Sequence, residues 1–364
     1  MGYSDLSGRP WEVMKDWFDA LSGGRLNMRM IAEPARAMQL PVGHLYELKD
    51  ERFAEHGHPL NPGLTVWKDE VWVNVRVCSK ANHTTKNFLA RVVDDRLEGE
   101  FLVDKSGVGP TAYGFEDLRL FVLHDQLHAI AAVSLQGSTG NPRTGQVLLR
   151  LEGAEIKKAW MQLSKRHEKN WMPVVDDDRL RLIYSTDPLM SLTWNEATGL
   201  VDPPVDHIPQ IDALLRGGSN LIPYEDGWLT VVHQIHATGK DRTSLDRAVY
   251  VHRFVQFNKD LGQAKVGGPF YIKHVGIEFV SGLARYKDKL LLAFGVGDRE
   301  AWIAEIDPVA VEGMMAVVEA PKVAATAMAP APLAAPPPVD LSPKGPQPTW
   351  NPLLGGFPPR DGRW

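Results

Sequence analysis

The residues with the most chemical content lie in one heptapeptide, GFEDLRL, Gly114 to Leu120. Two adjacent carboxylates, Glu116 and Asp117, stand just before Arg119, and a β-like run from Leu120 to Val133 follows at once. A neighbouring guanidinium favours the ionised carboxylate. Desolvation against a sugar or an aromatic ring pushes the other way and makes a proton donor. Read alone, the heptapeptide is either a salt bridge at a turn or a poised acid.

Polar residues recur at the edges of other apolar runs. Asn61 lies in NPG and Arg76 in NVRV; Lys169, Asn170 and Trp171 lie in EKNWMP, with Tyr184 and Asp187 beyond them. GGSN, Gly217 to Asn220, leads to His233, and Glu278 and Phe279 lead to Asp298, Arg299 and Glu300 in GVGDREAW. Singly, each has a plain structural explanation, such as a turn cap or a core histidine. Together they suit a sugar. Carboxylates such as Glu116 bind hydroxyl pairs, a ring such as Trp171 stacks on the apolar face, and fixed cations receive a phosphate. No HExxH, cysteine pair or tight histidine cluster occurs, and no P-loop, GxSxG or dinucleotide fingerprint, so neither metal nor cofactor is expected.

The elements that must position these residues repeat. LTVW–KDE–VWVNVRV, LRLFVL–HDQ–LHAIAAVSL, WMPVV–DDD–RLRLIYS, NLIPY–EDG–WLTVVHQI and LARY–KDK–LLLAFGV are each strand, acidic turn, strand. Regular recurrence over roughly 240 residues is the sign of a radial array. The expectation is an all-β chain, a five-bladed β-propeller over residues 51–310 with a central funnel. Residues 1–50 are expected to form a short helical segment packed on it. Pro10 opens one helix bearing Trp11, Met14, Trp17 and Phe18, and a second runs from Met28 to Met38. After a short helix over Val309 to Val318, residues 311–364 read as a flexible, disordered tail rich in Pro and Ala.

Composition sets the class. The chain has 364 residues, 44% hydrophobic and 23% charged, with net charge -5, so no affinity for nucleic acid or an anionic membrane is expected. Cys78 is the only cysteine, which excludes an internal disulfide and fits a reducing compartment. The first residues carry no apolar signal core and no run is long enough to span a bilayer, so the expected location is cytoplasmic. Self-association into a homo-oligomer is compatible with all of this.

The ordered motifs resemble the five-bladed propeller family of β-mannoside phosphorylases, glycoside hydrolase family 130, and its mannosyltransferase relatives. NPGLTVWKDEVWVNVRV resembles the family's first-blade segment, GFEDLRL its G-x-E-D-P-R signature with Leu118 for Pro, and GGSNLIPYEDGWLTVVHQI its glycine-rich stretch before a strand histidine. IEFVSGLARYKDKLLLAFGVGDREAWIAEID resembles its last blade. The resemblance implies Asp117 as general acid, with Asn61, Arg76 and Asp298 holding the sugar. It implies Arg119, Lys169 and His233 on the phosphate side, and carbohydrate plus phosphate or a sugar phosphate as substrates. Inverting transfer then needs one protein acid, whereas inverting hydrolysis needs a second carboxylate to activate water. A glycoside hydrolase and a non-catalytic carbohydrate-binding or scaffold propeller remain as alternatives.

Overall fold

The computed structural model describes residues 36–108, 113–135, 143–162, 169–186, 189–202, 205–207, 215–237 and 248–316. The first expected helix, most of the second, Asp187 and all of the expected tail except residues 311–316 lie outside the described residues, and those six belong to a helix instead.

The chain is all-β and propeller-like, and the described strands group into five sheets. The first runs up and down through His58–Trp67, Glu70–Cys78, Thr85–Val93 and Arg96–Phe101. The second holds Phe115–Leu123, Gln126–Leu135, Arg143–Glu152 and Glu155–Gln162, with Val103–Asp104 on its edge. The third, Met172–Asp176, Arg179–Thr186 and Leu189–Asn195, ends in two short pieces, Leu200–Val201 and Val205–His207. The fourth is built on the long pair Gly227–Ala237 and Ala248–Asn258, and the fifth on Glu278–Tyr286, Lys289–Val296 and Glu300–Ile306. The sheets are therefore unequal, and the expected regular repeat is met only in part.

All five acidic turns form two-residue reversals between paired strands. Lys68 and Asp69, His124 and Asp125, and Asp177 and Asp178 have positive φ at both positions. That geometry matches the right-handed twist of the flanking strands, and Asp tolerates it better than most residues.

The segment before residue 50 departs from expectation. His44–Glu47 is a strand that pairs antiparallel with Glu300–Ile306 and completes the fifth sheet, while Met38–Gln39 pairs parallel with Phe270–Tyr271. Sheet edges present unpaired N–H and C=O groups, and satisfying them outweighs a weak local helical preference. The helix expected after the last strand is present as Pro308–Ala316, and it buries Val311 and Met314 between the fourth and fifth sheets.

Packing shows how the sheets are arranged. Five apolar clusters each join neighbouring sheets: first to second, second to third, third to fourth, fourth to fifth, and fifth back to first. Sequence order thus becomes a closed ring. At the ring's centre the leading strands of different sheets nearly touch. A Cβ on Gly63 would stand 1.8 Å from the Leu118 carbonyl oxygen, and one on Gly282 would stand 2.5 Å from the Leu64 nitrogen. Only glycine permits that approach. Polar side chains stitch the same region: Ser281 Oγ donates to the Pro62 carbonyl at 3.1 Å, and Asn220 Nδ2 to the Leu283 carbonyl at 2.8 Å.

Candidate active site

The leading strands of the first and second sheets carry matching irregularities. Their ladders shift register between Leu60 and Gly63 and between Glu116 and Arg119. Inside these bulges Asn61 and Asp117 hold φ of 43° and 53°. A bulge re-aims a side chain that regular alternation would send elsewhere. Asn and Asp are the non-glycine residues that enter this region most readily.

The re-aimed side chains meet. Asn61 Nδ2 donates to Asp117 Oδ1 at 2.9 Å, and Arg76 Nη1 donates to the same oxygen at 2.8 Å. Arg76 Nη2 lies 3.4 Å from Glu116 Oε2, and Lys169 Nζ lies 3.9 Å from that oxygen. Asn61, Arg76, Glu116, Asp117 and Lys169 therefore form one cluster drawn from two sheets and the approach to a third. Asp298, on a turn of the fifth sheet with φ of 53°, is close enough for its charge to be coupled to Asp117 and Arg76.

The two aspartates are pushed apart electrostatically. Burial alone would raise the Asp117 carboxyl, but the Arg76 charge, the hydrogen bonds from Asn61 and Arg76, and Arg119 together hold it below the usual value. At Asp298 burial prevails, the Asp117 charge adds to it, and Arg76 only partly opposes, so its carboxyl is raised. Burial, with the Asp298 charge, lifts the Tyr250 phenol to about 12. Asp117 is thus the more acidic carboxyl of the two and Asp298 the less acidic.

Three of the residues singled out in the sequence are placed differently from the rest. Arg119 is wholly buried: Nε donates to the Gly218 carbonyl at 2.5 Å, Nη1 to the Asp117 carbonyl at 3.3 Å and Nη2 to Asn170 Oδ1 at 3.1 Å. Its donors tie the second sheet to the third and fourth rather than facing a phosphate, and burial draws its pKa down to about 10. His233 is 2% exposed, its ring stacked 5.4 Å from Tyr250 and edge-on to Phe279. Burial, then the neighbouring His252, Arg119 and Arg216, push its pKa well down, so it is neutral and supplies no cationic charge. Trp171 is 4% exposed and packs in the core between the second and third sheets, 5.7 Å from Tyr184. Apolar side chains of both sheets, Phe121, Leu123 and Leu192 among them, enclose its ring.

The sequence reading passed over Arg216. It is exposed, stands in register opposite His233, and its charge is felt by both His233 and Tyr250. A Cβ on Gly217 would meet the Asn170 carbonyl oxygen at 2.1 Å, so the backbone beside Arg216 abuts the one beside Lys169. The only local signal was a cation directly before the glycine pair.

Fold and site together define a class: a propeller-like all-β protein with a carboxylate–guanidinium cluster where successive leading strands converge. Comparison with solved structures agrees on the fold. A mannose phosphorylase from Leishmania mexicana, solved in complex with phosphate ion, superposes with a TM-score of 0.52 at 13% identity, covering 83% of this chain and 95% of that one. A GDP-Man-dependent mannosyltransferase from the same organism gives 0.51 at 12% identity, covering 73% and 91%. A structure from work on the GH130 family of mannoside phosphorylases, which contains hydrolases targeting β-1,2 mannosidic linkages in Candida mannan, gives 0.49 at 16%, covering 70% and 85%. The two Leishmania structures meet the resemblance drawn from the motifs as a likeness of fold. No protein-family model matches the chain, and no curated protein matches it in sequence. Among the described residues no helix is long and apolar enough to cross a membrane.

Proposed function

We propose that this chain is a carbohydrate-active enzyme that transfers a mannose-like sugar to or from a phosphate-bearing group. In this reading the five sheets are five blades, and the sugar enters the funnel at their axis. One observation carries the proposal: Asn61 and Arg76 of the first sheet converge on one carboxylate oxygen of Asp117 from the second, beside an Asp298 whose carboxyl is shifted in the opposite direction. Surroundings that drive two carboxylates apart give them different parts in proton transfer.

Among the described residues both bonds fall on Asp117 Oδ1, which leaves Oδ2 for the substrate. Asp117 is assigned to proton transfer with the glycosidic oxygen. Since it rests ionised, the proton must reach it with the bound sugar. Asn61, Arg76 and Asp298 hold the sugar's hydroxyls, and Glu116 orients Arg76. The phosphate side is assigned to the half-exposed Lys169 and to Arg216, with neutral His233 beneath them. Arg119 acts by fixing the Asp117 and Gly218 backbones, and Trp171 by packing.

The test is a donor screen with inorganic phosphate, sugar 1-phosphates and nucleotide sugars, each with mannose, glucose or short oligosaccharides, reading free phosphate, nucleotide and sugar. Phosphate- or nucleotide-coupled turnover supports the proposal. Release of free sugar with water as the only acceptor would make the chain a hydrolase. Binding with no turnover in any arm would make it a binding propeller.

A further inference from the structure

A cavity of about 260 Å3 lies away from the carboxylate cluster, where hairpins of the first and second sheets meet. Its lining includes Trp67, Trp72, Gln126, Arg150, Glu152 and Gly153. Asn61 and Trp67 share one leading strand, six positions apart, at ~3.3 Å per residue. The cavity is therefore ~20 Å from Asn61, toward the opposite end of the strands.

The aromatic part is fixed. Trp67 Nε1 donates to Asp125 Oδ1 at 2.9 Å, and Lys68 Nζ sits 4.3 Å over the Trp67 ring. Trp72 lies 5.6 Å from Trp67 with the rings tilted by 55°, which makes an angled apolar platform. Trp72 Nε1 is buried with no hydrogen-bond partner among the described residues, whereas a buried indole N–H ordinarily has one.

The polar part is uncommitted. Arg150 faces His128 and Lys158 across its two ladders and has no carboxylate partner among the described residues. A guanidinium has five donors in a planar fork suited to paired oxygens. Gln126 and Glu152 are exposed beside it and add an amide and a carboxylate, so both donors and acceptors are present. An angled indole pair, a fork of donors and a nearby acceptor match a pyranose: C–H groups against indole, adjacent hydroxyls on Arg150 and Glu152. The volume falls below the ~300–1,000 Å3 of sites for drug-sized ligands, so it suits a single ring.

We propose that this cavity is a second, non-catalytic carbohydrate site that holds one neutral pyranose unit of an oligosaccharide. The choice of ligand rests on the sugar-processing reading of the first site, but the binding surface is separate from it. Its role is to keep a glycan chain on the protein while another unit is processed.

The test uses the full chain carrying Asp117→Asn, to suppress turnover, and two probes, mannotetraose and cellotetraose. Binding is followed by the indole N–H resonances of Trp67 and Trp72, assigned through Trp67→Phe and Trp72→Phe. Shifts of both resonances are expected with at least one probe, with Kd raised at least tenfold by Arg150→Ala. Arg150 lies on the rim, so the single variant Arg150→Ala, with Asp117 intact, is also expected to keep its fold and its turnover of short substrates. Absence of shifts with both probes would overturn the inference, as would shifts unchanged by Arg150→Ala. If the donor screen finds no turnover but these shifts appear, the proposed activity fails and the second site stands. Turnover without the shifts has the reverse meaning.

Discussion

Replacing Arg119 by Met separates the structural role found for this residue from the phosphate-binding role its motif suggests. Met keeps much of the volume and removes every donor. Three acceptors lose their partner: the Gly218 carbonyl, the Asp117 carbonyl and Asn170 Oδ1. Each buried group left unmade costs about 1–3 kcal/mol, and this is partly offset because the guanidinium no longer has to be desolvated. The net expectation is about 3–5 kcal/mol, the range for removing one side of a buried charged contact. For a domain of about 280 residues the unfolding entropy is about 0.6 kcal/mol/K, so Tm should fall by about 5–8 °C. Calorimetry with and without phosphate provides the assay. A variant that melts within about 1 °C of wild type but no longer binds phosphate would refute the reasoning and return Arg119 to the ligand.

Four further outcomes are expected. Trp171→Ala should cost about 3–5 kcal/mol in urea unfolding, as large core truncations do, and should affect KM for sugar no more than KM for phosphate. Lys169→Ala should raise KM for the phosphate-bearing substrate several-fold and leave the neutral acceptor unchanged; equal effects would remove its assignment. Glu278 is buried and its carboxyl is raised to about 7, against three backbone N–H donors from Ile272, Lys273 and His274. Between its ordinary value and about 7 the folded state binds the extra proton, so stability should fall by about 3 kcal/mol as pH rises through that window, and Glu278→Gln should lack the slope. Asp117 has the opposite sign. Its depressed pKa adds stability above the unfolded carboxylate value, lost as pH falls through the folded one, so Asp117→Asn should flatten acid unfolding below about pH 4.

What the sequence made legible was local. The five acidic turns, the helix after the last strand and the Glu116–Asp117 pair are written in short stretches whose chemistry depends on near neighbours. Asn61 and Arg76 could be named because each interrupts an apolar run. The roles of Arg119, His233 and Trp171 were not legible, since burial by other sheets decides whether a cation faces solvent or a ring faces a ligand. Arg119 is closed in by Gly218, 99 positions away. The strand His44–Glu47 was hidden for the same reason: its partner is Glu300–Ile306, and four residues carry too little period to compete with a helical reading. The cavity beside Trp67 joins a hairpin there to one at Gly153, which no local pattern links.

The most direct measurement is the rate at which the donor selected by the screen releases its phosphate-bearing group to an acceptor sugar, compared between wild type and Asp117→Asn at equal folded fraction. Acceptor-dependent release that drops by about 10²–10⁴-fold in the variant is the predicted result. Release at the wild-type rate from Asp117→Asn would contradict a proton-transferring carboxylate on the axis of the ring.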